Sequence, residues 1–156
     1  VASIVASHFA PEWVLNIKET GEVWFVDYTD PNNPGIKMIE AEGFLHDGGW
    51  DSTKRYFLVA WNARNKIAVV DAKEKRLVAL IDTGGIKPYP GRGANCFEPE
   101  FGPVWIPGYI GDSVVSLIET DPVDRPEHAW KVIRKINSLS SGYLFINTRP
   151  NSLWVW

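Results

Sequence analysis

The 156-residue sequence contains only one cysteine, Cys96, three histidines and one methionine, and it has no excess of basic charge. A single thiol excludes an internal disulfide and any metal site built from several cysteines. A formal net charge of −3 argues against a nucleic-acid partner, which would need a basic face. No run approaches the roughly 18 apolar residues of a transmembrane helix, so we expect no membrane span.

Aromatic residues, in contrast, are abundant: eight Trp, seven Phe and five Tyr among 45% hydrophobic residues. This composition can fill a sizeable core, and aromatic side chains suit strands and flat contacts between sheets. No secretory signal is visible, but both ends of the chain fall within strand-like runs, at residues 1–7 and 153–156. We therefore expect the sequence to be a piece of a longer protein.

Pairs of strand-like runs recur three times along the chain. Trp13, Phe57 and Val104 lie at matching places in these pairs, at offsets of 44 and 47 residues. A period of roughly 40–50 residues with several strands per unit is typical of propeller blades. We therefore predict an all-β fold, a segment of about three to four blades of a β-propeller.

The predicted blades are antiparallel meanders of short strands and short polar turns. They cover residues 12–39, 51–83 and 102–136, and a fourth would begin at 142–148. The longer segments between them are predicted to be loops, at residues 41–54, 84–101 and 137–142.

Two of these segments carry the candidate site, GFLHDGGW at residues 43–50 and YPGRGAN at residues 89–95. His46 and Tyr89 are 43 residues apart, which is close to one blade repeat. Residues one blade apart occupy equivalent loops, so we expect both side chains to point toward one central axis. The glycines in both segments allow the backbone to approach a ligand closely.

His46 is the strongest single candidate for chemistry. A histidine beside Asp47 and ahead of two glycines can titrate near neutral pH and face a pocket. The alternative is a structural histidine whose ring is bonded to a neighbouring loop carbonyl. The other two histidines, His8 and His128, lie far apart in sequence, and this spacing predicts no metal site.

Arg92 is flanked by glycines and can bind a carboxylate or phosphate through two parallel hydrogen bonds. Alternatively, it locks its loop by pairing with a nearby acidic residue, for which Asp47, Glu98 and Glu100 are the candidates. Tyr89 offers a hydroxyl, but a phenol with an ordinary pKa near 10 is a poor proton donor at neutral pH. Phe145 is by default a core residue.

Five motifs together resemble one known family. They are PEWVLNIKETG at residues 11–21, FLHDGGWD at 44–51, PGRGAN at 90–95, FGPVW at 101–105 and LIETDP at 117–122. In this order they resemble the haem d1 domain of cytochrome cd1 nitrite reductase. The resemblance extends over essentially all 156 residues.

This resemblance implies an eight-bladed propeller with haem d1 in its central channel. Residues 1–156 would be part of that domain, and the remaining blades and a domain with c-type haem would lie outside this sequence. The family implies a periplasmic homodimer that reduces nitrite to nitric oxide in denitrification. Its electron donor would be a small c-type cytochrome or cupredoxin.

Three residues match functional positions of the family. His46 matches one of two distal histidines, Arg92 matches the arginine that contacts the haem d1 carboxylates, and Phe145 matches an aromatic beside the macrocycle. Tyr89 departs from the pattern because it replaces the second distal histidine. We expect His46 to be the main proton donor and nitrite anchor, while Tyr89 donates only a hydrogen bond.

The replacement at Tyr89 keeps two other functions open. One is a haem d1 biosynthesis protein, either a dihydro-haem d1 dehydrogenase or an assembly carrier. The other is a propeller without enzymatic activity that serves as an interaction scaffold. In the reductase interpretation, we expect the fragment alone to be inactive.

Overall fold

The computed structural model describes residues 1–41, 45–61, 64–89, 91–143, 145–149 and 151–156. Within these ranges the chain forms twelve β-strands and no α-helix. The described ranges contain no helix that is long and apolar enough to cross a membrane. The strands form three four-stranded antiparallel sheets, so the all-β prediction is confirmed.

Each sheet is one blade, and its strands follow one another in chain order. Blade 1 consists of β1 (Ser3–Ala6), β2 (Glu12–Ile17), β3 (Glu22–Asp27) and β4 (Gly35–Glu40). Blade 2 consists of β5 (Leu45–Trp50), β6 (Tyr56–Trp61), β7 (Lys66–Asp71) and β8 (Arg76–Asp82). Blade 3 consists of β9 (Ala94–Glu98), β10 (Gly102–Ile106), β11 (Val114–Glu119) and β12 (Val132–Asn137).

The first strands of blades 2 and 3 lie where the sequence predicted loops. β5 falls inside residues 41–54 and β9 inside residues 84–101, so the loop prediction was wrong for both stretches. In the predicted opening of a fourth blade at 142–148, the described residues form no strand, but antiparallel pairing begins there. Thr148 and Val155 form an isolated bridge, and Asn147 and Trp156 exchange two backbone hydrogen bonds (both 2.8 Å).

The alternation of side chains along β6 explains how three blades share a core. Phe57 and Val59 point to one face and join the hydrophobic cluster with blade 1. Tyr56 and Leu58 point to the other face and join a cluster with Trp105 of blade 3. Because successive strand residues alternate between faces, an apolar run such as YFLVAW is suited to a sheet covered on both sides.

The two outermost sheet faces are not covered in this way. On blade 1, the face opposite the shared core exposes Trp13, Ile36 and Met38, each at least half accessible. On blade 3, Ile136 is 48% exposed on the face that points away from blade 2. Large apolar side chains are thus exposed at both ends of the row of blades, although residues Tyr143 and Ile146 cover part of the outer face of blade 3.

Candidate functional site

The candidate site lies where the first strands of the three blades meet. β1 lies against β5, and β5 is joined to β9 by a hydrogen bond from the Asn95 side chain to the Trp50 carbonyl (2.9 Å). The segment before β9 adds the remaining candidate residues. This inner edge corresponds to the channel wall of a propeller.

His46 lies on β5, opposite Ala60 of β6. The strand register shifts between His46 and Gly48, so Asp47 forms a β-bulge with φ of 49°. A positive φ is uncommon for residues other than glycine, although aspartate tolerates it better than most. Bulges re-aim side chains, and this one brings the Asp47 carboxylate beside the neighbouring imidazole.

The imidazole of His46 is held between a carboxylate and a phenol ring. Its Nδ1 lies 3.4 Å from the Asp47 carboxylate, close enough for an ion pair. This nitrogen is buried and has no hydrogen bond to any of the described residues. The His46 and Tyr89 rings are 5.0 Å apart between centroids, with their planes inclined by 33°.

Tyr89 reaches His46 from a segment anchored to blade 3. Its backbone N–H donates a hydrogen bond to the Gly108 carbonyl (3.0 Å), and Pro88 forms a β-bridge with Tyr109. Tyr109 is fully buried, and burial raises the pKa of its phenol to about 12. Tyr109 therefore remains a neutral support for the Tyr89 segment.

Tyr89 is not the structural equivalent of His46, which corrects the expectation of equivalent loops. Leu45, the first residue of β5, pairs with the last residue of β6, and Ala94, the first residue of β9, pairs with the last residue of β10. Leu45 and Ala94 are therefore equivalent, and the residue after Ala94, Asn95, is the counterpart of His46. The rings of His46 and Tyr89 nevertheless meet, because the segment before β9 folds back along the inner edge.

Arg92 lies between two glycines with positive φ, Gly91 (54°) and Gly93 (63°). A Cβ on Gly93 would lie 2.3 Å from the Trp105 indole, and a Cβ on Gly49 would lie 1.7 Å from the Arg92 carbonyl oxygen. Side chains at either glycine would therefore displace the Arg92 backbone. The glycines fix the close contact between blades 2 and 3 at this point.

The side chain of Arg92 is exposed and, among the described residues, has no ion pair. Glu98 and Glu100 bind Arg134 instead, at 2.9 and 3.2 Å. The loop-locking alternative is therefore not supported for these two acidic residues. The guanidinium is left available for a ligand.

A cavity of about 220 Å³ brings Arg92 together with Phe145. Asp47 lines the same cavity, beside the aliphatic side chains of Ile4 and Val5. Phe145 is 69% exposed rather than part of the core, which was its default interpretation. The structure thus brings His46 together with Tyr89, and it brings Arg92, Phe145 and Asp47 together around one cavity.

A second cavity of about 480 Å³ adjoins the first at Arg92 and is lined by two residues that sequence reasoning did not assign to the site. These are Lys54 and His8, and the His8 ring contacts the Trp50 ring edge-to-face at 5.6 Å. Among the described residues that line this cavity there is no carboxylate. The part of the inner edge that carries Arg92, Lys54 and His8 is therefore suited to anionic groups.

Comparisons with known proteins identify the family and the fold of the chain. The family described as "Cytochrome D1 heme domain" matches residues 1–156. A nitrite reductase from Stutzerimonas stutzeri is 55% identical over 161 residues, covering 100% of this chain and 29% of that protein. The chain thus spans less than a third of the length of this curated relative.

Two solved structures share the fold. Dihydro-heme d1 dehydrogenase NirN in complex with DHE has a TM-score of 0.74 at 21% identity, covering 93% of this chain and 29% of that one. Hydrazine synthase from Kuenenia stuttgartiensis has a TM-score of 0.70 at 15% identity, covering 95% of this chain and 38% of that one. At these identities the likeness concerns the fold, and the propeller prediction is confirmed.

Proposed function

Because this chain belongs to the cytochrome D1 heme domain family, we propose that it is part of the haem d1-binding propeller of a nitrite reductase that forms nitric oxide. The identity of 55% to a nitrite reductase over the whole chain supports this activity. The observation that supports the proposal is that the His46 ring contacts the Tyr89 ring while Asp47, the residue next to His46, lines one cavity with Arg92 and Phe145.

The residues at this edge fit haem d1. Arg92 offers a guanidinium without a protein partner among the described residues, which suits a carboxylate of the macrocycle. Phe145, Ile4 and Val5 supply aromatic and aliphatic surface for its ring system. The buried Nδ1 of His46 faces Asp47, so the other ring nitrogen, Nε2, is the one that can meet a ligand.

Conversion of nitrite to nitric oxide and water consumes one electron and two protons. When bound, haem d1 would supply the iron centre and deliver the electron. The protein must then hold the anion and supply protons. Protonated His46 does both, because an imidazolium attracts the anion and can donate its Nε2 proton. The Asp47 carboxylate lies at Nδ1, 3.4 Å away, where it can pair with an imidazolium.

Tyr89 contributes less to this chemistry than an imidazole would. Its hydroxyl can donate a hydrogen bond to the anion, but a phenol carries no positive charge at neutral pH. The contact between the two rings positions the phenol close to His46. His46 is therefore the main proton donor and anion anchor in this proposal.

Tyr89 also favours a second candidate function, that of a haem d1 biosynthesis protein. A dihydro-haem d1 dehydrogenase or a haem d1 carrier needs the macrocycle site of Arg92 and Phe145 but does not need a second proton donor. A propeller scaffold without enzymatic activity would need neither the macrocycle site nor a proton donor. Binding of haem d1 therefore distinguishes the scaffold from the reductase and from the biosynthesis protein.

The properties of the complete protein are part of the same proposal. We expect further blades and an upstream domain with c-type haem, a homodimer and a periplasmic location. A small c-type cytochrome or cupredoxin would supply electrons. The 156-residue segment alone would be inactive, because it includes only part of the channel wall.

The test uses the full-length protein loaded with haem d1. Its visible spectrum reports binding of the macrocycle, and nitric oxide formed from nitrite under reducing conditions reports turnover. We expect His46→Ala to lower nitrite turnover about 100-fold while leaving the spectrum of bound haem largely intact. The matched control is His128→Ala, in the turn region before β12, which should leave turnover unchanged.

One outcome would contradict the reductase activity, and another would contradict only the role given to His46. Bound haem d1 without any nitric oxide production would favour the biosynthesis function. Near-normal turnover of His46→Ala would show that protons reach nitrite by another route.

A further inference from the structure

Two asparagines from the neighbouring blades hold β5 at different points. Asn16 of β2 donates hydrogen bonds from Nδ2 to the Asp47 carbonyl (3.1 Å) and to the Ser3 hydroxyl (2.7 Å). Asn95 of β9 donates from Nδ2 to the Trp50 carbonyl (2.9 Å). The first bond fixes the bulge beside His46, and the second fixes the far end of the strand.

Asn16 is fully buried, and its Oδ1 has no hydrogen-bond partner among the described residues. A buried amide with an unpaired oxygen costs stability, and an apolar side chain of similar size would avoid that cost. Of the two groups that the amide binds, the Ser3 hydroxyl and the Asp47 carbonyl, only the Asp47 carbonyl belongs to the strand that carries His46.

The orientation of that carbonyl matters because Asp47 has a left-handed backbone. With φ of 49°, Asp47 occupies a region that is unfavourable for a residue with a side chain. The bond from Asn16 stabilises this conformation, which places the Asp47 carboxylate 3.4 Å from Nδ1 of His46.

We propose that Asn16 is a positioning residue that acts on His46 through Asp47. By holding the bulge, it keeps the Asp47 carboxylate 3.4 Å from Nδ1 of the imidazole, where its negative charge can pair with an imidazolium. The importance of this effect for nitrite reduction rests on the proposed function, whereas the effect on the protonation of His46 does not.

Several groups lie near His46 on the neighbouring elements. Among the described residues, its own strand supplies Asp47, and the segment before β9 supplies Tyr89 at 5.0 Å and the more distant cation of Arg92. β6 places Ala60 opposite it, and β2 contributes the neutral amide of Asn16. Asp47 is thus the nearest described charge whose position Asn16 controls.

The protonation of His46 can be measured on the full-length protein without haem d1. Diethyl pyrocarbonate acylates neutral imidazoles, and mass spectrometry of peptides gives the rate for each histidine as a function of pH. In Asn16→Ala, we expect the midpoint for His46 to fall by about 0.5 pH unit, as for loss of a partly exposed ion pair. The midpoint for His128 should stay unchanged.

Asn95→Ala is the matched control, because it removes an equivalent bond from the other end of β5. It should leave the His46 midpoint at the wild-type value. Asp47→Asn should lower the midpoint as much as Asn16→Ala does, and combining the two changes should add nothing. Asn16→Leu, which keeps the volume of the buried side chain, should repeat the result if Asn16→Ala does not fold.

An unchanged His46 midpoint in a folded Asn16 variant would overturn the proposal. So would a shift that persists undiminished when Asp47 is already asparagine. In the enzyme loaded with haem d1, the loss of nitrite turnover toward high pH should begin about 0.5 unit lower in Asn16→Ala. A protein that produces no nitric oxide would refute the proposed function, while the shift in the acylation midpoint would still decide the role of Asn16.

Discussion

Tyr89 is the residue on which the proton supply of the proposed reaction depends most. Its ring lies 5.0 Å from that of His46, so a side chain at this position can share a small ligand with the imidazole. A histidine there would add a second group able to carry positive charge and to donate a proton. The phenol supplies a neutral hydrogen bond instead.

We therefore expect Tyr89→His to increase kcat/KM for nitrite by about tenfold, because a charge-assisted hydrogen bond to the anion would replace a weaker neutral one. Tyr89→Phe is the matched control and should lower kcat/KM by only a few fold, because it removes one neutral hydrogen bond. Steady-state nitric oxide production by the full-length protein measures both. An unchanged rate in Tyr89→His would contradict the role given to charge at this position.

At the scale of the strand, β5 shows what the sequence alone did not predict. Its residues, LHDGGW, include two glycines and an aspartate, which are disfavoured in strands, so local propensity indicated a loop. The strand is stabilised by contacts that are distant in sequence, including those of Asn16 and Asn95. By contrast, β6 and β7 were predictable, because their β-branched and aromatic residues favour strands locally.

The contact between Gly49 and Arg92 provides a test of this interblade packing. A Cβ at Gly49 would overlap the Arg92 carbonyl oxygen, so Gly49→Ala should lower the free energy of unfolding by about 1–3 kcal/mol. Gly35→Ala is the matched control, because its Cβ would meet its nearest neighbour at an ordinary 3.8 Å. Equal stability of the two variants in urea-induced unfolding would show that the contact is not tight.

The last residue of the third strand is acidic in every blade, but its surroundings differ. In blade 2, Asp71 is 1% exposed and accepts hydrogen bonds from Arg55, at 2.6 Å, and from the backbone of Lys73 and Glu74. Burial raises the pKa of Asp71, but these bonds outweigh burial, and the net pKa is lowered. In blade 3, burial of Glu119 prevails and raises its pKa.

A lowered pKa means that ionised Asp71 stabilises the fold above the ordinary aspartate pKa of about 3.9, and that this contribution is lost as the pH falls below it. Asp71→Asn should therefore cost about 3 kcal/mol at pH 7, and the difference from wild type should shrink in acid. The control Asp27→Asn, at the same place in blade 1, should have a much smaller effect. Urea-induced unfolding at several pH values measures both, and a pH-independent difference would refute the ion-pair explanation.

For the whole molecule, the sequence period predicted the blades, and the side chains of the site could be predicted only in part. The proximity of His46 and Tyr89 was expected from equivalent loops, yet it arises from a segment that folds back before β9. Lys54 and His8 were not assigned to the channel wall, because nothing in their local sequence indicates that they line the same cavity. Only the packing of one blade on the next brings them together.

The most direct test of the central claim is an experimental structure of the full-length protein with haem d1 bound. The account predicts the macrocycle at the inner edge of β1, β5 and β9, with the Arg92 guanidinium within about 3.2 Å of a haem carboxylate. It also predicts His46 and Tyr89 over the same face of the ring, where nitrite would bind. Haem d1 located elsewhere, or His46 directed away from it, would contradict the account.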